Sequence, residues 1–135
     1  MEFKIKNYWD NKYSQSLIPS SPSNFAEYCF NNYITKNTSL TKTLLDLGCG
    51  NGRDSIYFAH KNITTTSVDL SEGILKIQNL LEHDPNFQGN PNFICSNAVN
   101  AFDNINTMDY VYMRWFLHAL EEKDEAVILQ KAYEK

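Results

Sequence analysis

Residues 44–54 read LLDLGCGNGRD, an apolar run followed by three glycines at alternate positions. Glycine lets the backbone turn sharply and lacks the Cβ atom that would hold a ligand away from the main chain. Residues 43–47 are typical of a short buried strand, and one acid, Asp46, stands just ahead of the first glycine. We therefore predict a strand, a ligand-binding glycine loop over residues 48–52, and a helix. A tight turn without a ligand is the alternative.

The glycine spacing distinguishes between two kinds of nucleotide ligand. In the dinucleotide fingerprint G-x-G-x-x-G, the third glycine counted from Gly48 would stand at position 53, which is Arg53. A pyrophosphate bound by backbone amides would also be opposed by the carboxylate of Asp46. A ligand carrying ammonium and sulfonium groups would instead be attracted by that carboxylate. The loop therefore favours a positively charged nucleoside ligand over a phosphate-linked one.

Strands and helices alternate along the rest of the chain. The predicted segments are a helix over 53–60, a strand over 63–68 ending at Asp69, a helix capped by Ser71, strands over 93–95 and 108–113, and a last helix over about 122–133. The inner face of the helix after Ser71 is predicted to consist of Ile74, Ile77, Leu80 and Leu81. The alternation predicts an α/β fold, a Rossmann-like doubly wound parallel sheet with helices on both faces.

Ligands of such sheets bind beyond the carboxyl ends of the strands. The glycine loop, Asp69, residues 95–98 and Arg114 all fall at those ends. This convergence indicates a ligand site more strongly than any one of the motifs does.

The residues before the first strand are predicted to be mainly helical. Residues 7–16 form a short helix with Tyr8, Trp9 and Tyr13, and Asn24 with Glu27 has the spacing of a capping box at the start of a second helix. The residues that recur at helical spacing in this second helix are Phe25, Tyr28, Cys29 and Tyr33.

Composition restricts the class of protein. With 135 residues the chain is one domain at most, and a net charge of −4 with scattered lysines argues against binding to duplex nucleic acid. Three cysteines, Cys29, Cys49 and Cys95, show no C-x-x-C spacing, so we expect free thiols in a reducing cytosol and no metal site. No apolar segment approaches the roughly 18 residues of a membrane span. We expect a cytoplasmic protein without a membrane partner.

Asp69 lies 19 residues after Gly50, at the end of the second predicted strand. An acid there can accept both hydroxyls of a ribose, as in dinucleotide-binding folds. An acid that simply precedes a helix is the alternative. Leu70 could then lie against an adenine face, and Asn97 and Ala98 could reach the edge of the base.

LLDLGCGNGRD, then SVDLS at 67–71, then the segment ending in Asn97-Ala98 together resemble the S-adenosylmethionine (SAM) half of class I methyltransferases. YWDNKY at 8–13 resembles the lid helix of many bacterial small-molecule methyltransferases. MRWFLHAL at 113–120 resembles the end of the fourth strand in a subgroup associated with surface-polysaccharide modification. The resemblance implies a lid segment over 1–42 and a SAM-binding domain over 43–135.

The resemblance also implies residue roles. Asp46, Gly48 and Gly50 would line the methionine moiety, Asp69 would bind the ribose, and the adenine would contact Leu70, Asn97 and Ala98. The remaining residues placed at the cofactor are Cys49, Arg53, Trp9 and Tyr13. Ordinary packing is the alternative for the two aromatic residues.

Methyl transfer requires chiefly an aligned acceptor and excluded water, because the cofactor carries the leaving group. A general base is required only if the acceptor must lose a proton. Arg114 and His118 are the predicted catalytic residues. The guanidinium of Arg114, like that of Arg53, could hold a carboxylate or phosphate in two bonds. His118 could be a base, with a hydrogen-bonded structural histidine as the alternative.

The predicted function is SAM-dependent methyl transfer to a small molecule, with a saccharide or surface-polysaccharide precursor as one candidate. A non-catalytic cofactor-binding subunit and a nucleotide-dependent oxidoreductase stay open as alternatives. A complete class I fold has seven strands in the order 3-2-1-4-5-7-6, whereas only four are predicted here. We therefore expect a fold truncated after the fourth strand, whose open edge at 110–113 is available for self-association or a partner. Cofactor binding is better supported than catalysis by this chain alone.

Overall fold

The computed structural model describes residues 21–83, 91–114, 116–117 and 120–134. The helix predicted over 7–16, with Trp9 and Tyr13, lies outside the described residues, as does His118. Within them, four parallel strands form one sheet in the order β3-β2-β1-β4, with helices on both faces. The α/β fold predicted from the sequence is confirmed.

The elements follow one another in strict alternation after a first helix. Their bounds are α1 Asn24–Cys29 with a π-helical continuation Phe30–Ile34, β1 Lys42–Leu47, α2 Arg53–His60, β2 Ile63–Asp69, α3 Gly73–Glu82, β3 Asn92–Cys95, α4 Ala98–Ala101 with a 3₁₀ turn Phe102–Asn104, β4 Tyr110–Met113 and α5 Glu122–Glu134. The fourth strand begins two residues later than predicted, and α4 with its 3₁₀ turn was not predicted. Strand β4 forms one edge of the described sheet.

Alternation along β1 divides the core between the two faces of the sheet. Leu45 and Leu47 point to one face, where Val68 of β2 and Ile128 of α5 join them. Leu44 and Asp46 point to the other, beneath α1 and α2. The parallel register aligns Asp46 with Ser67 of β2 and with Tyr112 of β4. A row of polar side chains therefore lies under α2, and the other face is apolar.

The first helix packs on the sheet through small and aliphatic residues. Ala26 and Ile34 are buried with Leu44, whereas Tyr28 and Tyr33 are 52% and 61% exposed. The aromatic spacing seen in the sequence therefore does not mark the inner face. The chain winds as a π-helix from Phe30 to Ile34, and its wider turn changes which residues face the sheet.

Three local predictions about helix ends and faces were wrong. Ser23, rather than Asn24, caps α1, since its hydroxyl accepts a hydrogen bond from Ala26 N at 3.1 Å. Leu80 is 43% exposed, whereas Ile74, Ile77 and Leu81 are buried as predicted. Helix α3 has Glu72 at its N-cap position, although the Ser71 hydroxyl still accepts from Gly73 N at 3.1 Å.

A buried carboxylate joins three distant segments of the chain. Asp54, in the first turn of α2, is 4% exposed, and its Oδ1 accepts from Ser23 N at 2.7 Å. Its Oδ2 accepts from the Ser23 hydroxyl at 2.8 Å, from the Tyr112 hydroxyl at 2.7 Å and from Arg114 Nε at 3.0 Å. Burial, together with the bond to Asp54, raises the pKa of Tyr112 far above its usual value, so this hydroxyl remains a donor. We call these four residues the Asp54 cluster.

No helix in the described part of the chain is both long and apolar enough to cross a lipid bilayer.

Replacing Asp54 by Ala should destabilise the protein strongly, because the donors on Ser23, Tyr112 and Arg114 all lose their acceptor. We expect a loss of about 3 kcal/mol in the free energy of unfolding, measured by urea denaturation. The matched control is Asp103→Ala, which removes an acid 66% exposed and paired with Lys131 at 3.1 Å. That change should cost less than about 1 kcal/mol. Equal losses for the two variants would contradict a central role for Asp54.

Candidate functional site

The glycine loop has a backbone conformation that other residues adopt only with strain. Gly48, Gly50 and Gly52 have φ angles of +71°, +59° and +78°. A Cβ atom at Gly52 would lie 2.9 Å from the ring of Phe93, and one at Gly48 would collide with the ring of Phe116. The glycines therefore allow the protein's own aromatic rings to approach the loop, in addition to any ligand.

Four of the five amides of the loop are bonded within the protein. Gly48 N and Cys49 N both donate to the carbonyl oxygen of Val68, at 2.7 and 3.1 Å. Gly50 N donates to Asp69 Oδ2 at 2.8 Å, and Gly52 N to the Cys49 carbonyl at 2.9 Å. A pyrophosphate would need such amides as its own donors. This bonding disfavours the nucleotide-dependent oxidoreductase among the alternatives.

Asp69 is fixed by the backbone at the end of β2. Its Oδ2 accepts from Gly50 N and its Oδ1 from Ser71 N at 2.9 Å, so the loop and the start of the next turn orient the carboxylate. An ionised carboxylate offers about four lone-pair sites. The backbone thus holds both oxygens in place, and such a pair is suited to two adjacent hydroxyl groups such as those of a ribose.

The ends of β2 and β3 lie side by side. Ser96 N donates to the Asp69 carbonyl at 2.9 Å, and the Cys95 thiol lies 3.5 Å from the Leu70 carbonyl oxygen. The predicted adenine residues therefore share one edge of the sheet with Asp69. Asn97 also has a local role, because its Oδ1 accepts from Val99 N at 2.8 Å and caps α4, which begins at Ala98.

Asp46 lies beneath α2 and is 3% exposed. The Ser55 hydroxyl donates to its Oδ2 at 2.6 Å. The pKa of Asp46 is raised to about 7, chiefly by burial. The Ser55 bond and the charge of Arg114 lower it, and the charges of Asp54 and Asp69 raise it. The carboxylate that the sequence places before the glycines is therefore only partly ionised at neutral pH.

Cys49 lies within the loop as a free thiol. Burial raises its pKa well above the usual value, and the nearby charges of Asp46 and Asp69 act in the same direction. The side chain is therefore a neutral thiol packed against an apolar cluster that includes Ile56 and Phe93, because a nucleophilic cysteine requires a lowered pKa.

The two arginines have different surroundings. Arg53 donates through Nε to the Ser21 carbonyl at 3.2 Å and through Nη2 to the Pro22 carbonyl at 2.9 Å, so it fastens the segment before α1 to the glycine loop. Arg114 lies just beyond β4, 30% exposed, with Nε on Asp54. Within the described residues its two Nη groups form no hydrogen bond, so its outer donors are available for a ligand.

Three residues important to this site were missed in the sequence. Asp54 carried one weak signal, since acids are favoured in the first turn of a helix. Ser55 and Phe116 carried none, because a lone serine or phenylalanine is common in any fold. Their contacts to Asp46 and Gly48 depend on the packing of α2 and of the chain after β4 against the loop.

A family model described as a methyltransferase domain matches residues 44–134. This span includes β1 from Leu44 onward, the other three strands, and all of the site described above except the residues before Leu44. No protein of curated function matches the sequence significantly.

Solved structures share the fold at low sequence identity. A magnesium protoporphyrin IX methyltransferase from Synechocystis PCC 6803 with bound SAM has a TM-score of 0.75 and 13% identity, over 98% of this chain and 70% of that one. A phosphoethanolamine N-methyltransferase from Haemonchus contortus has a TM-score of 0.66 and 18% identity, over 98% of this chain and 29% of that one. A third structure comes from work on the conversion of a disulfide bond into a thioacetal group during echinomycin biosynthesis. It has a TM-score of 0.73 and 17% identity, over 94% of this chain and 54% of that one. The chain thus spans about half the length of this last protein.

Replacing Gly48 by Ala should destabilise the protein by at least about 2 kcal/mol, because the new residue has a positive φ and its Cβ meets Phe116. Chemical denaturation measures the loss. The control is Gly73→Ala at the start of α3, which should be neutral or slightly stabilising. When Phe116 is also replaced by Ala, the loss of stability caused by Gly48→Ala should become smaller, because the contact is removed. Part of the loss should remain, because the positive φ is unchanged. An equal cost in both backgrounds would contradict the contact with Phe116.

The raised pKa of Asp46 predicts a pH dependence of stability. Because the folded pKa, about 7, lies above the unfolded value near 4, the native state binds more protons between these values and stability falls as pH rises through this window. Between pH 5 and pH 8 the free energy of unfolding of the wild type should fall by roughly 3 kcal/mol relative to that of Asp46→Asn, whose amide does not titrate. Urea denaturation at both pH values tests this. A difference between the two proteins that does not change with pH would contradict it.

Proposed function

The chain belongs to the methyltransferase-domain family, and on that premise we propose that it binds SAM and transfers its methyl group to a small-molecule acceptor. The observation that carries the proposal is the Asp69 carboxylate, which Gly50 N holds at the edge of a loop whose Gly48, Cys49 and Gly52 amides are also bonded internally. Such a site offers acceptors to ribose hydroxyls and few donors to a phosphate. SAM supplies a methyl group activated on a sulfonium sulfur, and the protein's share is to bind, orient and exclude water.

In this proposal the ribose hydroxyls bind Asp69, and the adenine lies between Leu70 and the Asn97–Ala98 turn. The methionine moiety lies along the loop, near Asp46 and residues 48–50. Arg53 supports the cofactor site by fastening residues 21 and 22 beside the loop. The segment over 1–42, with Trp9 and Tyr13, is proposed as the lid and 43–135 as the cofactor domain.

On the acceptor side, Arg114 is proposed to hold an anionic group, a carboxylate or a phosphate, through its Nη donors. The Asp54 cluster supports this role, because the bond to Nε fixes the guanidinium beyond the end of β4. His118 is proposed as a base for acceptors that must lose a proton. A saccharide or surface-polysaccharide precursor is one acceptor of suitable chemistry, proposed from the resemblance of residues 113–120.

A cofactor-binding subunit without transferase activity is the remaining alternative. Transfer of a labelled methyl group from SAM, tested with this chain and with an extended chain, separates it from an enzyme. The edge of β4 is the surface at which we propose that self-association or a partner chain adds to the sheet.

Calorimetric titration with S-adenosylhomocysteine (SAH) tests the proposed cofactor site. We expect saturable binding that Asp69→Ala weakens by roughly thirtyfold, equivalent to about 2 kcal/mol, because the ribose hydroxyls lose a charged acceptor. The matched control is Asp109→Ala. Asp109 also accepts a backbone hydrogen bond, from Thr43 N at 2.9 Å, but it precedes β4 at the opposite edge of the sheet.

Two results would count against the proposal. One is equal affinity for SAH in the Asp69 and Asp109 variants. The other is an absence of binding by a chain whose fold is confirmed by circular dichroism, both alone and in an extended form. If NADH displaced SAH and bound more tightly than SAH does, the result would instead support a nucleotide-dependent oxidoreductase.

A further inference from the structure

Three acids converge on the glycine loop, and they differ in how their charges are stabilised. Asp54 receives four hydrogen bonds, one of them from the guanidinium of Arg114. Asp69 receives two from backbone amides, those of Gly50 and Ser71. Asp46 receives one, from the neutral hydroxyl of Ser55. Asp46 is thus the buried acid whose negative charge has the fewest donors among the described residues.

The groups that face Asp46 include a single cation, which is paired with another acid and is the weakest of the influences on the pKa of Asp46. They are Asp54 and Ser55 on α2, Ser67 and Asp69 on β2, Tyr112 and Arg114 on and after β4, and Cys49 in the loop. The one cation in this set, Arg114, already pairs with Asp54 at 3.0 Å. The Ser67 hydroxyl, aligned with Asp46 in the sheet, is buried and has no hydrogen-bond partner in the described chain. Ionised Asp46 therefore lacks a dedicated positive partner.

We propose that Asp46 is a proton-coupled selectivity residue, which releases a proton to solvent when SAM binds and takes one up when SAH is left after methyl transfer. The inference rests on the proposed function. The two ligands share their ammonium, carboxylate and nucleoside groups, and they differ by the positive charge on sulfur. A cation near the loop stabilises the ionised form of a buried carboxylate. The sulfonium thus supplies a positive charge that is not already paired with another acid, as Arg114 is with Asp54.

Asp46 acts here through its charge and not by contact, since it lies beneath α2. Its pKa of about 7 places the proton exchange at neutral pH. Binding that favours the ionised form strengthens as pH rises toward that value and then levels off. From pH 6 to pH 8 the affinity of the wild type for SAM should therefore increase by up to about tenfold more than the affinity of Asp46→Asn for SAM does. The affinity of the wild type for SAH should increase less.

The test is calorimetric titration of the whole chain at pH 7 in phosphate and in Tris, whose ionisation enthalpies differ. The dependence of the observed enthalpy on the buffer gives the number of protons released per ligand bound. We expect about half a proton more with SAM than with SAH for the wild type. Asp46→Asn should abolish this excess, because its amide cannot ionise. Proton exchange by the ligand's own amino group is the same in both proteins and cancels in the comparison.

Ser55→Ala is a second variant, with an effect of opposite sign. It removes the bond that lowers the pKa of Asp46, so more of the acid is protonated before binding. The excess proton release with SAM at pH 7 should rise from about one half toward one. An excess unchanged in both variants would overturn the inference and leave SAM binding intact. If neither SAM nor SAH binds to folded protein, the proposed function fails and the inference fails with it.

Discussion

The buried carboxylate of Asp54 connects the start of α1, the start of α2 and the end of β4, segments separated by 31 to 60 positions in the sequence. A charge out of water is costly unless it is fully hydrogen-bonded, and here two hydroxyls, one amide and one guanidinium compensate it. The same bonds hold Arg114 at the ligand edge of the sheet and seat α2 directly after the glycine loop. The geometry of the site therefore depends on this one cluster.

The glycine loop is organised from within rather than left open for a ligand. Its amides donate to Val68, Asp69 and Cys49, and its positive φ angles let Phe116 and Phe93 pack against glycine. A site built in this way recognises a ligand through the acids around the loop and not through a nest of free amides. This arrangement agrees with the proposed cationic, sugar-bearing cofactor, and it is the basis of our proposal that the protonation of Asp46 is part of recognition.

The shared fold does not identify the acceptor. Structures that match the chain at 13% to 18% identity include proteins named for a magnesium porphyrin and for phosphoethanolamine. A fold does not by itself name a substrate, because functions depend on sites built on the fold. In this chain our proposal of an anionic acceptor depends on Arg114, which lies just beyond β4 and is 30% exposed.

The sequence by itself determined the order of the four strands and of the longer helices between them, the glycine loop and the position of Asp69, but not the short helix α4. Each of these depends on local rules: alternation of apolar residues, the permissive φ of glycine, and the end of a β-branched run. Only the tertiary structure decided that Ser23 and not Asn24 caps α1, that Leu80 is exposed, that Arg53 holds backbone carbonyls and that Asp46 is buried with a pKa near 7. The physical reason is that these features depend on hydrogen bonds and charges between residues tens of positions apart in the sequence. Whether such residues come into contact depends on how the helices pack on the sheet, which no pattern of neighbouring residues encodes.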